Sequence, residues 1–349
     1  MTHVRVLFCA VFGISVAGSV ACSSDHRALE KKPDATVSSS AVTGSGGATV
    51  ATTAASSGSG AGGTGPVEPD VVTALTFVNG VVDADAASFC FLRHPTGAMG
   101  ELPWPSAAGV PFAHAAKVDL EALGLKGHDI EVKAVVGTAA AIGAKTCAAL
   151  ESAPGVLVRS LAIVPASAFD EPRHLVLVAD GCVGGETHTA PQESAVCGMA
   201  YAANKPTAGL VAGYLSGLGA VGALRMQFVH AVVGMSSPAS IGVAPGIDGA
   251  MLDSVATNWT LGAIVPSPPY DAMVLADLID PPKARIAVSS SSGNADVVFA
   301  VALSNGAVNG GTLMDGDGLA FVGVGASPGV PSGAWWHAYT YVALHVPKP

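Results

Sequence analysis

Two stretches 151 residues apart read alike. Leu75-Thr76-Phe77-Val78-Asn79-Gly80-Val81-Val82 aligns with Met226-Gln227-Phe228-Val229-His230-Ala231-Val232-Val233. After one inserted residue, Ser88-Phe89-Cys90-Phe91 continues against Ser240-Ile241-Gly242-Val243. Each block reads as a strand, a short polar turn and a second strand. Self-similarity at a fixed offset marks a chain built from copies of one unit, so the fold must accommodate that unit twice.

The rest of the chain supports strands. Asp129–Val136 alternates polar and apolar residues before thickening into an apolar run. His174–Ala179 and Asp296–Leu303 are short apolar runs, stopped by Asp180-Gly181 and Ser304-Asn305-Gly306. Period-two alternation and short apolar runs bounded by turn residues are strand signals. Asn79-Gly80, Asp248-Gly249 and Asp317-Gly318 read as turns. Only Val118–Leu123 and Ala139–Leu150 look mildly helical. The class is all-β, with a seam between copies in the Gly-rich segment Gly209–Gly222, read as a flexible hinge. The organisation is a signal at 1–22, a disordered linker at 23–69, and domains at 70–222 and 223–349.

The first 22 residues read as an export signal. Arg5 supplies the positive end and Val6–Val16 the apolar segment, followed by the small residues Ser19-Val20-Ala21 before Cys22. The pattern resembles a lipobox, with Ser19 where Leu is usual, and is read as placing a lipid on Cys22. Ordinary cleavage and secretion is the alternative. Ser23 and Ser24 carry no Asp retention signal, which points an anchored protein of a double-membraned bacterium to its outer membrane. Residues 23–68 then form a tether, almost wholly Ser, Gly, Ala, Thr and Val from Ser38 to Gly65. Too little apolar bulk offsets the entropy of ordering it. A coil of that length spans roughly 35–40 Å.

Tandem copies of a Phe-Val-His/Asn strand, a short acidic or Pro-containing turn and an alternating strand resemble bacterial exported proteins carrying domain of unknown function 4397. Myxobacterial-type members often have a Cys in the second strand, as at Cys90, and another after the alternating strand, as at Cys147. The second copy departs in its turn, with Gly234-Met235-Ser236-Ser237-Pro238 in place of the usual Asp. The resemblance covers most of residues 74–345. It implies immunoglobulin-like β-sandwich domains at the cell envelope and no particular activity.

Of six cysteines, Cys9 leaves with the signal and Cys22 is the lipid site. Cys90, Cys147, Cys182 and Cys197 remain, an even number in an exported chain. Three pairings are possible; Cys90–Cys147 with Cys182–Cys197 is favoured. The second bond closes a short polar loop containing Gly184-Gly185, Glu186 and His188. A metal site from Cys182, His188 and Cys197 would lack a fourth ligand and any Cys-x-x-Cys spacing, so no metal is expected. All four lie in the first half, leaving the second without bridges.

The net charge of −10 and scattered basic residues argue against nucleic acid as a partner. Gly217–Gly222 matches a dinucleotide fingerprint letter by letter, but so does Gly58–Gly63 in the tether, and the next acid, Asp248, is too distant. Asp315-Gly316-Asp317-Gly318 starts like a calcium loop but has Ala326 where the twelfth-position Glu belongs, so it reads as a hairpin turn between Leu313 and Ala320. Gly234–Pro238 lacks the last Gly of a nucleophile elbow. His230 reads as an outward-facing or capped strand residue rather than a base. No catalytic residue and no cofactor are expected.

The most suggestive segment is Trp335-Trp336-His337-Ala338-Tyr339-Thr340-Tyr341, which holds four of the 19 aromatics. In a strand Trp335, His337, Tyr339 and Tyr341 would share one face. That stripe is either packing for the second copy or a binding surface for an envelope polysaccharide or protein partner. The expected function is a non-catalytic envelope lipoprotein that binds such a partner, held to the membrane by its lipid; a secreted hydrolase is the alternative.

Overall fold

The repeat beginning at Leu75 is a real structural unit. A computed structural model describes residues 75–346, apart from 96, 98–99, 171–172, 186–187, 189–191, 216–223, 236–238, 245–252, 274–283, 291–296, 302–306, 309–310, 315 and 329. Residues 1–74, with the segments read as signal and tether and with Cys22, lie outside the described residues, as does the fingerprint at Gly217–Gly222.

In the first half, β1 (Leu75–Asn79) and β7 (His174–Asp180) pair in parallel. β4 (His114–Lys117) and β8 (Gly209–Leu215) flank them, giving the order β4-β1-β7-β8. A second sheet has the order β3-β2-β5-β6, from Val110–Pro111, Ala86–His94, Asp129–Gly137 and Val156–Val164. The second half repeats the plan. β9 (Leu224–His230) and β17 (Gly318–Val324) pair in parallel between β12 (Ile264–Met273) and β18 (Thr340–Val346). Its other sheet is β11-β10-β13-β14, from Asp253–Trp259, Ala239–Ala244, Ala284–Ser290 and Val297–Val301. A short ladder, β15 (Ala307–Val308) with β16 (Gly311–Thr312), completes the strands among the described residues.

The register is the same in both halves. Phe77 lies opposite Leu177, and Phe228 opposite Phe321. Asn79 and His230, equivalent in the repeat, do the same work at the strand end. The Asn79 side-chain oxygen accepts the Val81 N–H at 3.1 Å, and His230 Nδ1 accepts the Val232 N–H at 3.2 Å. The chain does not turn back at Asn79-Gly80, because the Gly80 N–H continues the parallel ladder onto the Ala179 carbonyl, as Ala231 does onto Gly323. His230 is therefore a buried cap, not an outward-facing residue.

Alternation along β1 and β7 places side chains in two different cores. Leu75, Phe77, Leu175 and Leu177 meet Phe89, Phe91, Ile130 and Val132 of the other sheet of the first half. Phe77 anchors that core, with ring centroids 4.3 Å from Phe89 and 5.5 Å from Phe91. Val78, Val176, Val178, Val211 and Leu215 point the other way, onto Val229, Ala320, Val322, Val342 and Leu344 of the second half. Strands buried on both faces read as continuous apolar runs, which explains His174–Ala179. The halves thus share an apolar seam within one compact unit. That seam supplies the second half with burial in place of disulfides.

The Gly-rich segment read as a hinge begins instead with β8, fully paired to β7 from Gly209 to Leu215. Gly213 is small for a packing reason: Ile264 of the second half occupies the space a Cβ would need. Ala139–Leu150 forms two turns of helix, α1 (Ala139–Ile142) and α2 (Cys147–Leu150), capped by Thr138 and Thr146 and separated at Gly143 (φ 52°). Val118–Leu123 is a turn rather than a helix. The Asp119 carboxylate accepts from the Glu121 and Ala122 N–H groups, offering the backbone a local alternative.

Candidate functional site

The two segments that stood out in the sequence, the Cys182–Cys197 loop and the aromatic segment, are equivalent connections in the two halves. One joins β7 to β8 and the other β17 to β18. Each leaves its strand through a glycine with positive φ, Gly181 (73°) and Gly325 (100°). At each, a Cβ would collide with a carbonyl of the returning chain, Thr207 in one case and Ala338 in the other. The two connections meet at one end of the seam.

There Val82, Cys182, Val196, Cys197, Ala326 and Trp335 form one apolar cluster drawn from both halves. His188 stacks on Trp335 at 3.9 Å with 21° between the planes. Asp83, in the acidic turn after the first repeat strand, holds the loop. Its Oδ1 accepts the Val183 N–H at 3.0 Å. Its Oδ2 accepts the Gly184 N–H at 2.9 Å and lies 3.0 Å from His188 Nε2. The His188 and Asp83 side chains are 3% and 0% exposed. A carboxylate only accepts, so Nε2 donates. His188 Nδ1 shares a hydrogen bond of 2.7 Å with the Tyr201 hydroxyl. Arg159 donates from Nε to the Val183 carbonyl at 2.9 Å.

An Asp–His–hydroxyl chain has the connectivity of a catalytic relay. Here burial, then the negative charges of Glu193 and Asp83, raise the Tyr201 phenol above its ordinary value, against a smaller opposing effect of Arg159. A phenol pushed upward stays protonated at neutral pH and keeps the proton of its hydrogen bond. Through Asp83 the chain clamps the backbone at Val183 and Gly184.

The second half meets this loop with little space between backbones. A Cβ on Gly234 would sit 2.5 Å from the Ala195 carbonyl oxygen, in α3 (Gln192–Cys197). A Cβ on Gly198 would meet Val233 at 2.9 Å. Gly234 stands where the first copy has Asp83, and its turn is pressed on α3.

Both disulfides are formed, Cys90–Cys147 and Cys182–Cys197, with Cα–Cα distances of 6.0 and 5.4 Å. Their sulfurs are bonded to each other and are no metal ligands. Cys90–Cys147 ties β2 to α2 in a separate cluster with Leu92, Val135, Ile142 and Leu150.

The aromatic segment is not the strand that its alternation suggests. β18 begins at Thr340, so only Tyr341 of the four lies in it. Trp335 (9% exposed) joins the seam cluster and Tyr339 (8%) is buried. His337 stacks on Phe112 of the first half at 4.1 Å and pairs with Asp85 at 3.2 Å. Tyr341 packs edge-on to Phe321 at 5.3 Å. Trp335 and His337 pack toward the first half, whereas Tyr339 and Tyr341 lie against Gly323 and Phe321 of β17, so the four are not one strand face. The Trp336 ring lies over Gly333, and the His337 N–H bonds to the Val82 carbonyl, so the segment follows the first half rather than a ladder.

Asp317 is engaged within the second half. Its Oδ2 accepts the Met314 N–H at 2.8 Å and pairs with His345 Nε2 at 3.0 Å. The turn lies between β16 and β17, which do not pair with each other, so it is no hairpin. Among the described residues no group of three or more His, Cys, Asp or Glu could hold a metal ion, and no helix is long and apolar enough to cross a membrane.

Sequence reasoning missed Asp83, Tyr201 and Arg159. Asp83 acts on residues 100 positions away, and Tyr201 belongs to no motif. No protein-family model and no curated protein matches this chain.

Proposed function

We propose that this chain is a non-catalytic cell-envelope lipoprotein. It carries two tandem immunoglobulin-like β-sandwich domains, residues 70–222 and 223–349, on a tether anchored through Cys22, and presents them to a surface polysaccharide or protein partner. Its family would be the exported domain of unknown function 4397. The observation that carries the reading is the use of the polar residues at the loop end. Asp83, His188, Tyr201 and Arg159 are engaged with one another and with the Val183–Gly184 backbone, holding the loop. Two disulfides fit an oxidising, extracytoplasmic compartment. The repeated strand plan and the core shared by the two sheets of the first half support the sandwich reading.

The test has two arms. Full-length chain expressed with its own signal should fractionate with membranes, and Cys22→Ser should move it to the soluble fraction. Intact mass should show lipid on Cys22; a mature Cys22 without added mass refutes the anchor. Purified residues 23–349, passed over isolated peptidoglycan and surface polysaccharide and incubated with ester substrates, should be retained without turnover. Turnover that survives repurification would favour the hydrolase instead.

A further inference from the structure

The second half contains no cysteine, yet the Cys182–Cys197 bond lies against it. We propose that this bond is a redox-operated clasp on the second half, so that a dithiol reductant acting on the first half loosens the other.

Three contacts run from the disulfide loop to the second half, two of them meeting at Trp335. The sulfur-bearing residues and Val196 pack on Ala326 and Trp335. His188, held by Asp83 and Tyr201, stacks on Trp335. Gly198 and α3 lie against Val233 and Gly234 with no room for a side chain between them. All three are made by residues at Cys182, His188 and Ala195–Gly198, and the bond ties Cys182 to Cys197 across a sequence separation of 15. Opening it frees the loop to sample other conformations, which costs the ordered form its entropic advantage. The bond Cys90–Cys147 sits in another cluster, built from the first half alone.

The chemistry is two-electron exchange. One thiolate of the reductant attacks a sulfur of the bond, and its second thiol resolves the mixed disulfide. Cys182 and Cys197 end as thiols, having gained two electrons and two protons, and the reductant ends as its cyclic disulfide. Both sulfurs belong to residues with no exposed surface, so attack waits on local opening of the clasp.

The test is amide hydrogen exchange on the full chain, read at β9 and β17. Cys182→Ser with Cys197→Ser should speed exchange there by roughly tenfold or more, whereas Cys90→Ser with Cys147→Ser should leave it within about twofold. Equal effects of the two pairs, or none from the first, would overturn the proposal. Should the first pair fail to fold, wild-type chain titrated with dithiothreitol decides the matter. Second-half amides that stay protected after Cys182 and Cys197 are alkylated overturn it. His188→Ala, with both bonds intact, should loosen β9 and β17 in the same direction, and unchanged exchange there counts equally against the clasp.

Discussion

Asp180 ends β7 with a carboxyl that is wholly buried, and burial pushes it up to about 7 from an ordinary 3.8, against the pull of hydrogen bonds from its own N–H and that of Gly209. The second half has Val324 at the equivalent place, so the position does not require a charge. A raised carboxyl is protonated in the folded chain and ionised in the unfolded chain between those two values. Its contribution is therefore intact below about pH 4 and is lost as pH rises toward 7. At about 1.4 kcal/mol per decade, the loss approaches about 4 kcal/mol at pH 7. Asp180→Asn removes the ionisation and keeps an acceptor for Gly209. Two histidines act in the opposite sense. Burial lowers His174 and His230 to about 4 from 6.5, with Lys117 and His345 adding to the effect at His174. Each is neutral when folded and protonated when unfolded between those values, so stability falls as pH drops from 6.5 to 4. Taken over these three groups, the unfolded wild type binds about one proton more than the folded form near pH 5, and unfolded Asp180→Asn about two more. Urea unfolding at constant ionic strength from pH 4.5 to 7.5 should therefore show the variant gaining on the wild type by about 1.4 kcal/mol per pH step across the acid range. Parallel stability curves for the two proteins would refute the reasoning.

Trp335→Ala and Tyr339→Ala should each destabilise by about 3–5 kcal/mol in urea unfolding, as large side chains removed from a packed site do. Near-native stability of both would return these residues to the role of a binding surface. Gly181→Ala and Gly325→Ala should each cost more than about 1–2 kcal/mol, because positive φ is strained and a carbonyl blocks the Cβ. Comparable losses in thermal melts are expected, since the two positions are equivalent.

Local and repeated features were legible in the chain alone. Alternation placed β5, short apolar runs placed β7 and β14, the repeat placed β2 and announced two copies, and four cysteines announced two bonds. These signals survive because a strand's period and a copy's pattern are properties of neighbouring residues. Long-range packing set the remainder. The run Leu175-Val176-Leu177-Val178 says that both faces are buried, but not that Leu177 meets Phe89 while Val178 meets the second half. Period two fails for Trp335–Tyr339, since alternation has meaning only in a strand and this segment follows the Val82 carbonyl instead. Asn79 and His230 were legible as equivalents, yet their shared role as caps depends on where the Val81 and Val232 N–H groups point. Asp83 and His188 stand 105 positions apart in the chain and 3.0 Å apart in the fold. No local pattern links them, because the seam that brings loop to loop forms only when the two valine-lined sheets close on each other and exclude water.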